Sequence, residues 1–434
     1  MVTIYCDTIT PRVLYTMELV FVNLLGSAYF LTSDKKVYEK EDGPKICYGN
    51  IVIEDDPFFR ASKLLNEDGI DHQELVVGQI AGHPAIFEVE QPSVLTHDLF
   101  SAIFYLVSRY EEYLPHEEDE HGRYLANQSL ASKHDFLELP IVDIWAMLIG
   151  QAISDRYPDL DLGKRAFKYV NTIDIDNAYA FSGKGGLRAA GGIAKSVLKL
   201  DKKDVADRVG VLSGGAKDPF DTYAYMKRLA LENNSEVKSF VLLGDYGPFD
   251  KNLSHSSDKQ VQAINQMAEF SEVGIHPSYG SGGDEEGVNK EISRLSDILN
   301  RPITSSRQHY LKLKLPETYM LLIENGIRED YSMGYSEAIG FRAGTCTPFQ
   351  FFNLKDNTST DLVIYPFSVM DRTLNDYLKL NPEEAIEKIV KLADAVMNVN
   401  GTLISVWHNE SLSDDREWRG WLPVYEHLQR YSGD

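Results

Sequence analysis

Asn171-Thr172-Ile173-Asp174-Ile175-Asp176-Asn177 is the stretch on which the reading of this chain turns. The apolar run 167–170 leads into it, so the segment predicts a buried strand that ends in two acids. Carboxylates at the end of a core strand are costly unless something pairs with them. A divalent cation is an economical partner, and three later strand ends each bring a histidine: His276, His309 and His408. Asp174 and Asp176 are two positions apart, on the same side of an extended chain. One can hold a metal while the other takes a proton from water, which points to a metal-dependent hydrolase site at the mouth of a β/α barrel. The plainer alternative makes the two acids a helix N-cap and a turn residue.

The rhythm of the chain around that stretch favours the first reading. From residue 166 onward, strand-like runs (167–174, 239–243, 273–276, 303–309, 329–333, 340–343, 362–368, 402–408) alternate with helix-like ones (222–231, 258–270, 285–299, 316–324, 382–397, 418–429). This predicts parallel strands with crossover helices, as a barrel or an open doubly wound sheet. In both folds the working residues sit at the carboxyl ends of strands. Asp174 and Asp176, His276, Arg307 and His309, Asp330, and His408 all fall there. Residues 182–219, rich in glycine and charge, interrupt the rhythm and predict a loop-plus-helix insertion over the mouth, helical over 189–200. Within it Ser182-Gly183-Lys184-Gly185-Gly186 does not meet GxxxxGK[ST], so a nucleotide site is not expected.

Residues 1–165 read as an α/β accessory domain without chemistry. Helices are predicted over 12–25, 99–113 (stopped by Pro115) and 140–153, with short strands at 28–31, 46–53 and 85–89. The loop 116–123 carries His116 and His121, but its acid run marks it as solvated.

Length and composition bound the rest. A chain of 434 residues allows two or three domains. A net charge of −23 without a basic run excludes nucleic acid as a partner. Cys6, Cys47 and Cys346 are odd in number and widely spaced, which suits a reducing compartment. The start lacks a leader pattern, and the apolar patch at 19–30 is too short to span a bilayer. A cytoplasmic protein without a membrane partner is therefore expected, its oligomeric state left open.

Taken singly, each candidate has a plainer role too. His276 follows Val273-Gly274-Ile275 and precedes Pro277, a good ligand position, though a core histidine bonded to backbone reads the same way. Arg307 can orient a carboxylate or form an ordinary ion pair. His408 ends the last strand and can donate a proton, with Asn409 and Glu410 as supports or substrate contacts.

The order of acid pair, histidine, arginine, acid and late histidine over residues 166–430 resembles the NodB-type polysaccharide deacetylases. The resemblance implies a distorted β/α barrel with fewer than eight strands. It implies Asp174 as base, Asp176 and His276 as metal ligands (the two acids being exchangeable), Arg307 steadying the base, Asp330 positioning the general acid, and His408 as that acid. The family's acids are adjacent, whereas Ile175 separates them here. Its second histidine, four residues after the first, is replaced by Gly280, and His309 from the neighbouring strand is expected to supply the missing ligand. The implied reaction is metal-assisted removal of an N- or O-acetyl group from a carbohydrate, with zinc expected first and manganese, nickel or cobalt also compatible. Tyr279, Arg342 and Asn409 are candidate substrate contacts. A glycoside hydrolase needs two carboxylates and no metal, which would leave His276 and His309 without a role. Gly280 also allows a degenerate, carbohydrate-binding relative, and Trp407, Trp418 and Trp421 could stack on sugars or simply pack in the core.

Overall fold

The computed structural model describes residues 1–53 and 55–432, so the last two residues of the expected second domain, 433–434, lie outside it. In the first part of the chain β1 (Val2–Cys6), β2 (Tyr29–Thr32), β3 (Lys45–Gly49) and β4 (Phe58–Arg60) form a parallel sheet in the order β2-β1-β3-β4. β5 (Gly78–Ile80) and β6 (His83–Ala85) form a separate antiparallel pair. β1 is a strand the sequence reading omitted, its run Val2-Thr3-Ile4-Tyr5-Cys6 being short and buried throughout.

The second part builds one nine-stranded sheet. Its strands are β7 (Lys168–Ile175), β8 (Glu236–Leu242), β9 (Glu272–His276), β10 (Ser305–Ser306), β11 (Glu329–Asp330), β12 (Phe349–Asn353), β13 (Thr358–Ile364), β14 (Val369–Met370) and β15 (Thr402–His408). Their order is β12-β13-β11-β10-β9-β8-β7-β15-β14. All neighbours are parallel except the edge pair β12 and β13. Eight strands thus run one way, more than the resemblance implied. β12 and β14 are the two edges of the hydrogen-bonded series.

The sheet curls strongly. β10 and β7 are three strand spacings apart, about 14 Å across a flat sheet. Yet Arg307, just past β10, reaches across to Thr172 Oγ1 at 2.7 Å and Asp174 Oδ1 at 3.0 Å on β7. Alternation along each strand sorts side chains to the two faces. On β7, Val170, Thr172 and Asp174 face inward, whereas Tyr169, Ile173 and Ile175 join the large core beneath the outer helices. On β15 the inward residues are Ile404, Val406 and His408, and Leu403 and Trp407 join that large core. The concave side is filled by Val170, Phe240, Tyr331, Phe367, Ile404 and Val406, with Met370 and Leu311 above them. Crowding there dictates Gly274, whose Cβ would lie 2.5 Å from Ser305 Oγ and 2.9 Å from Phe240.

Expected elements hold where the apolar period is long. β15 and the helix Glu285–Leu299 match the expected 402–408 and 285–299 residue for residue. Residues 340–343, expected as a strand, form a loop instead, and the strand expected over 303–309 shrinks to β10 followed by a turn at His309–Leu311. The insertion is two helices, Gly186–Leu198 and Lys202–Leu212. No helix among the described residues is long and apolar enough to cross a membrane.

The first part packs directly on the second. Tyr15 and Phe104 lie 5.0 and 5.1 Å from Phe352 on β12, and the Tyr15 hydroxyl donates to the Gln350 carbonyl at 2.7 Å. Below them Glu112 forms a two-pronged ion pair with Arg342, at 2.9 and 2.6 Å, and bonds Arg109 at 2.7 Å.

Candidate metal and catalytic centre

β7, β9, β10 and β15 deliver their carboxyl-end residues to one cavity of about 420 Å³. Asp174, Asp176, His276, His309 and His408 all line it. Ligand atoms of Asp176, His276 and His309 lie within 4.8 Å of one another. His276 Nε2 is 3.3 Å from Asp176 Oδ1, and His309 Nε2 is 3.5 Å from Asp176 Oδ2.

The outer nitrogens of both rings are already committed. His276 Nδ1 lies 2.6 Å from the Arg307 carbonyl oxygen, which can only accept, so Nδ1 carries the proton. His309 Nδ1 lies 3.0 Å from Asp250 Oδ1 and donates to it by the same logic. In the neutral rings the Nε2 lone pairs therefore face a carboxylate whose Oδ1 is buried without a hydrogen-bond partner. Three electron-rich groups converging in this way suit a divalent cation, with ring orientation fixed from behind. The chemistry of the donor set thus fits a metal, and the mixed oxygen and nitrogen donors fit zinc among others.

The electrostatics agree. Burial opposes the charge on Asp176, but His309 and contacts with the imidazoles outweigh it and hold the carboxyl well below its ordinary range. Burial would lower His309, yet Asp176 and Asp250 raise it to about 9. A proton on Nε2 and a cation compete for the same lone pair.

Asp174 stands beside this group. Its Oδ1 accepts from Arg307 at 3.0 Å, and its Oδ2 is 4.0 Å from His276 Nε2. Arg307 is fully buried, held by the Tyr331 carbonyl at 2.9 Å and placed 4.8 Å over the Phe240 ring. His408, which pairs in register with Asp174, comes within 3.9 Å of Asp176 Oδ2. Its Nδ1 is 2.9 Å from Asp371 Oδ1. Burial alone would lower the His408 imidazole, but Asp371 overrides it and raises the group to about 9.

Four expected roles need correcting. Asp330 does not position His408; it is fully buried and accepts from Ser306 Oγ and from the Ser332 amide and hydroxyl at 2.8 to 2.9 Å. Asp371, directly after β14, takes that place. Arg342 does not reach the cavity, because its guanidinium is consumed by Glu112. Asn409 is buried and spends its amide on the carbonyls of Asn177 and Phe220, so it ties loops together. Tyr279 packs against Phe249 at 4.3 Å and lines an adjoining cavity, not the central one.

The sequence reading also missed residues that do line the cavity. Arg123 comes from the first part of the chain, which was read as free of chemistry, and donates to the Tyr310 carbonyl at 3.0 Å. Arg372 lines it too, ion-paired with Asp376 at 2.9 Å and with Glu410. Asp250 lay in a loop with no strand-end signal. The one clue to Asp371 was its place directly after Val369-Met370, a strand too short to show a period.

A family of unknown function (DUF7033) matches residues 2–158. No curated protein sequence is a significant match. Among solved structures, a protein from Mycobacterium smegmatis described as a polysaccharide deacetylase shows 16% identity and a TM-score of 0.39, covering 62% of this chain and 85% of its own. A polysaccharide deacetylase from Bacillus cereus shows 9% identity and a TM-score of 0.28, covering 61% and 86%. The functional reading rests on the side-chain geometry.

Proposed function

We propose that the chain is a metal-dependent hydrolase that removes N- or O-acetyl groups from a carbohydrate. The observation that carries this reading is the convergence of Asp176, His276 and His309 within 4.8 Å, beside a second carboxylate and a carboxylate-held histidine. The carbohydrate substrate class follows from the resemblance of this residue order to the NodB-type deacetylases. The division near residue 165 into an accessory unit and a hydrolase unit belongs to the same proposal.

Asp176, His276 and His309 would hold the cation, which supplies Lewis acidity and a more acidic water at neutral pH. Asp174 takes the proton from the attacking water, and Arg307, donating to its Oδ1 at 3.0 Å, keeps that carboxylate aimed. His408 gives the proton from its Nε2 to the departing amine or alkoxide, while Asp371 holds Nδ1 from behind. Gly280 costs nothing in this scheme. Its amide donates to Asp250 Oδ2 at 2.9 Å, and the other oxygen of Asp250 orients His309.

The glycosidase alternative needs two free acids facing a sugar. Asp376 and Glu410 line the cavity but are ion-paired with Arg372, and Asp174 is bound to Arg307. Acetate release from N- and O-acetylated oligosaccharides, before and after chelation and metal return, tests the proposal. Turnover that needs the metal and disappears in Asp174→Ala and His408→Ala supports it. Turnover indifferent to chelation, or no difference from either variant, overturns it.

A further inference from the structure

The insertion forms a helical hairpin, Gly186–Leu198 and Lys202–Leu212, joined through residues 199–201. Its inner side is anchored. Arg188 donates to the carbonyls of Asn252 and Lys251 at 3.2 and 3.0 Å, and Arg416 pairs with Asp204 at 2.9 Å. Its outer side is not covered. Leu198 and Leu200 are each 84% exposed, Val197 53%, Val209 51% and Leu212 46%. Val205, Val209 and Leu212 recur at helical spacing, and Val197, Leu200, Val205 and Val209 line an open apolar groove of about 510 Å³. A monomeric soluble surface normally scatters such side chains singly.

Charge departs from the rest of the chain at the same place. Residues 182–219 carry eight basic and four acidic side chains, a net of +4, whereas the remaining residues carry −27 of the overall −23. Lys195, Lys199 and Lys202 are exposed beside the apolar stripe. Among the described residues none of the three has an ion-pair partner. Apolar side chains rimmed by unpaired lysines are the pattern of helices that lie in a lipid interface.

We propose that this hairpin docks on an anionic lipid surface, its leucines and valines entering the headgroup boundary and its lysines meeting lipid phosphates. The association is peripheral and needs no spanning helix. A second copy fits less well, because pairing two identical hairpins would set like charges against each other. Glu410 lines both the central cavity and the smaller pocket beneath the hairpin, so the hairpin is a close neighbour of the central cavity. The inference stands independently of the hydrolase reading, because attachment is measured without turnover.

Flotation of the full chain with phosphatidylglycerol-containing vesicles and with pure phosphatidylcholine vesicles tests it. Expected is attachment to the anionic vesicles alone, weakening as salt rises. Each lysine contributes about fivefold to attachment, so Lys195→Glu, Lys199→Glu and Lys202→Glu combined lower it by at least about a hundredfold. Leu198→Ser with Leu200→Ser lowers it as well, with circular dichroism and melting temperature showing that both variants are folded. Absence of attachment to anionic vesicles, equal attachment to neutral ones, or no change in either variant overturns the proposal. A concentration-dependent dimer lost in the leucine variant would assign the face to a second copy and overturn it too.

Discussion

Asp250 holds His309 from behind: its Oδ1 accepts a hydrogen bond from the imidazole Nδ1 at 3.0 Å, and its two oxygens accept from the amides of Tyr279 and Gly280 at 2.8 and 2.9 Å. A loop with no chemistry of its own thereby fixes which nitrogen faces the centre. Partners of this kind are worth about 10- to 100-fold in metal affinity. Asp250→Ala is expected to weaken zinc binding by that factor, and Asp250→Asn, which keeps one acceptor, by less. Isothermal titration of the metal-free protein with zinc measures both. Unchanged affinity in the alanine variant would remove His309 from the ligand set.

Asp371 sets the working range of His408. With burial overridden by Asp371, the imidazole reaches about 9 and remains a proton donor at neutral pH. This raised group favours the folded state fully below its ordinary value near 6.5, and that contribution disappears as pH climbs through about 9. Asp371→Asn is expected to move the alkaline limb of the pH–rate profile downward by one unit or more and to cut kcat by at least about tenfold. An alkaline limb that does not move would show that His408 is not the proton donor.

Glu112 joins the two parts of the chain. Burial pushes its carboxyl up, but Arg342 and Arg109 dominate and hold it at about 2. A depressed carboxyl stabilises the fold above its ordinary value of 4.5, and the contribution is lost as pH falls toward about 2. Glu112→Gln leaves two buried guanidinium groups undercompensated and is expected to cost about 3 to 5 kcal/mol at pH 7. Urea unfolding at pH 7 and near pH 3 should show the gap to wild type narrowing in acid. A gap independent of pH would contradict this account.

Arg123 lines the cavity from a loop outside the large sheet. Arg123→Ala is expected to raise KM about tenfold through lost substrate contact or loop order, with kcat changed less. Steady-state kinetics on the best acetylated oligosaccharide decide it. An equal fall in kcat with KM constant would place Arg123 in the chemical step instead.

The sheet was legible where long apolar runs alternate with amphipathic helices, as along β15 and Glu285–Leu299. β10, β11 and β14 have two residues each, too few for any period to declare itself. Asp174, Asp176, His276 and His408 could be picked out because each ends or follows an apolar run, and His309 because it stands two residues after Arg307 at an expected strand end; the curl of the sheet brings them together. Asp371, Asp250 and Arg123 could not, since their proximity depends on that curl and on loop paths with no local signature. Arg342 misled for the opposite reason. A lone arginine in a glycine-rich loop looks available, and only Glu112, 230 positions earlier, shows that it is not.

The packing of Tyr15 and Phe104 on β12 has a bearing on how the molecule stays apart from its neighbours. An edge strand offers its free backbone groups to any passing chain. Here the Tyr15 hydroxyl occupies the Gln350 carbonyl, and two rings roof Phe352. A polypeptide starting at residue 166 would bare a sticky flank and strand the Arg342 charge in the interior. The first part of the chain thus closes a flank that residues 166–432 would otherwise leave open.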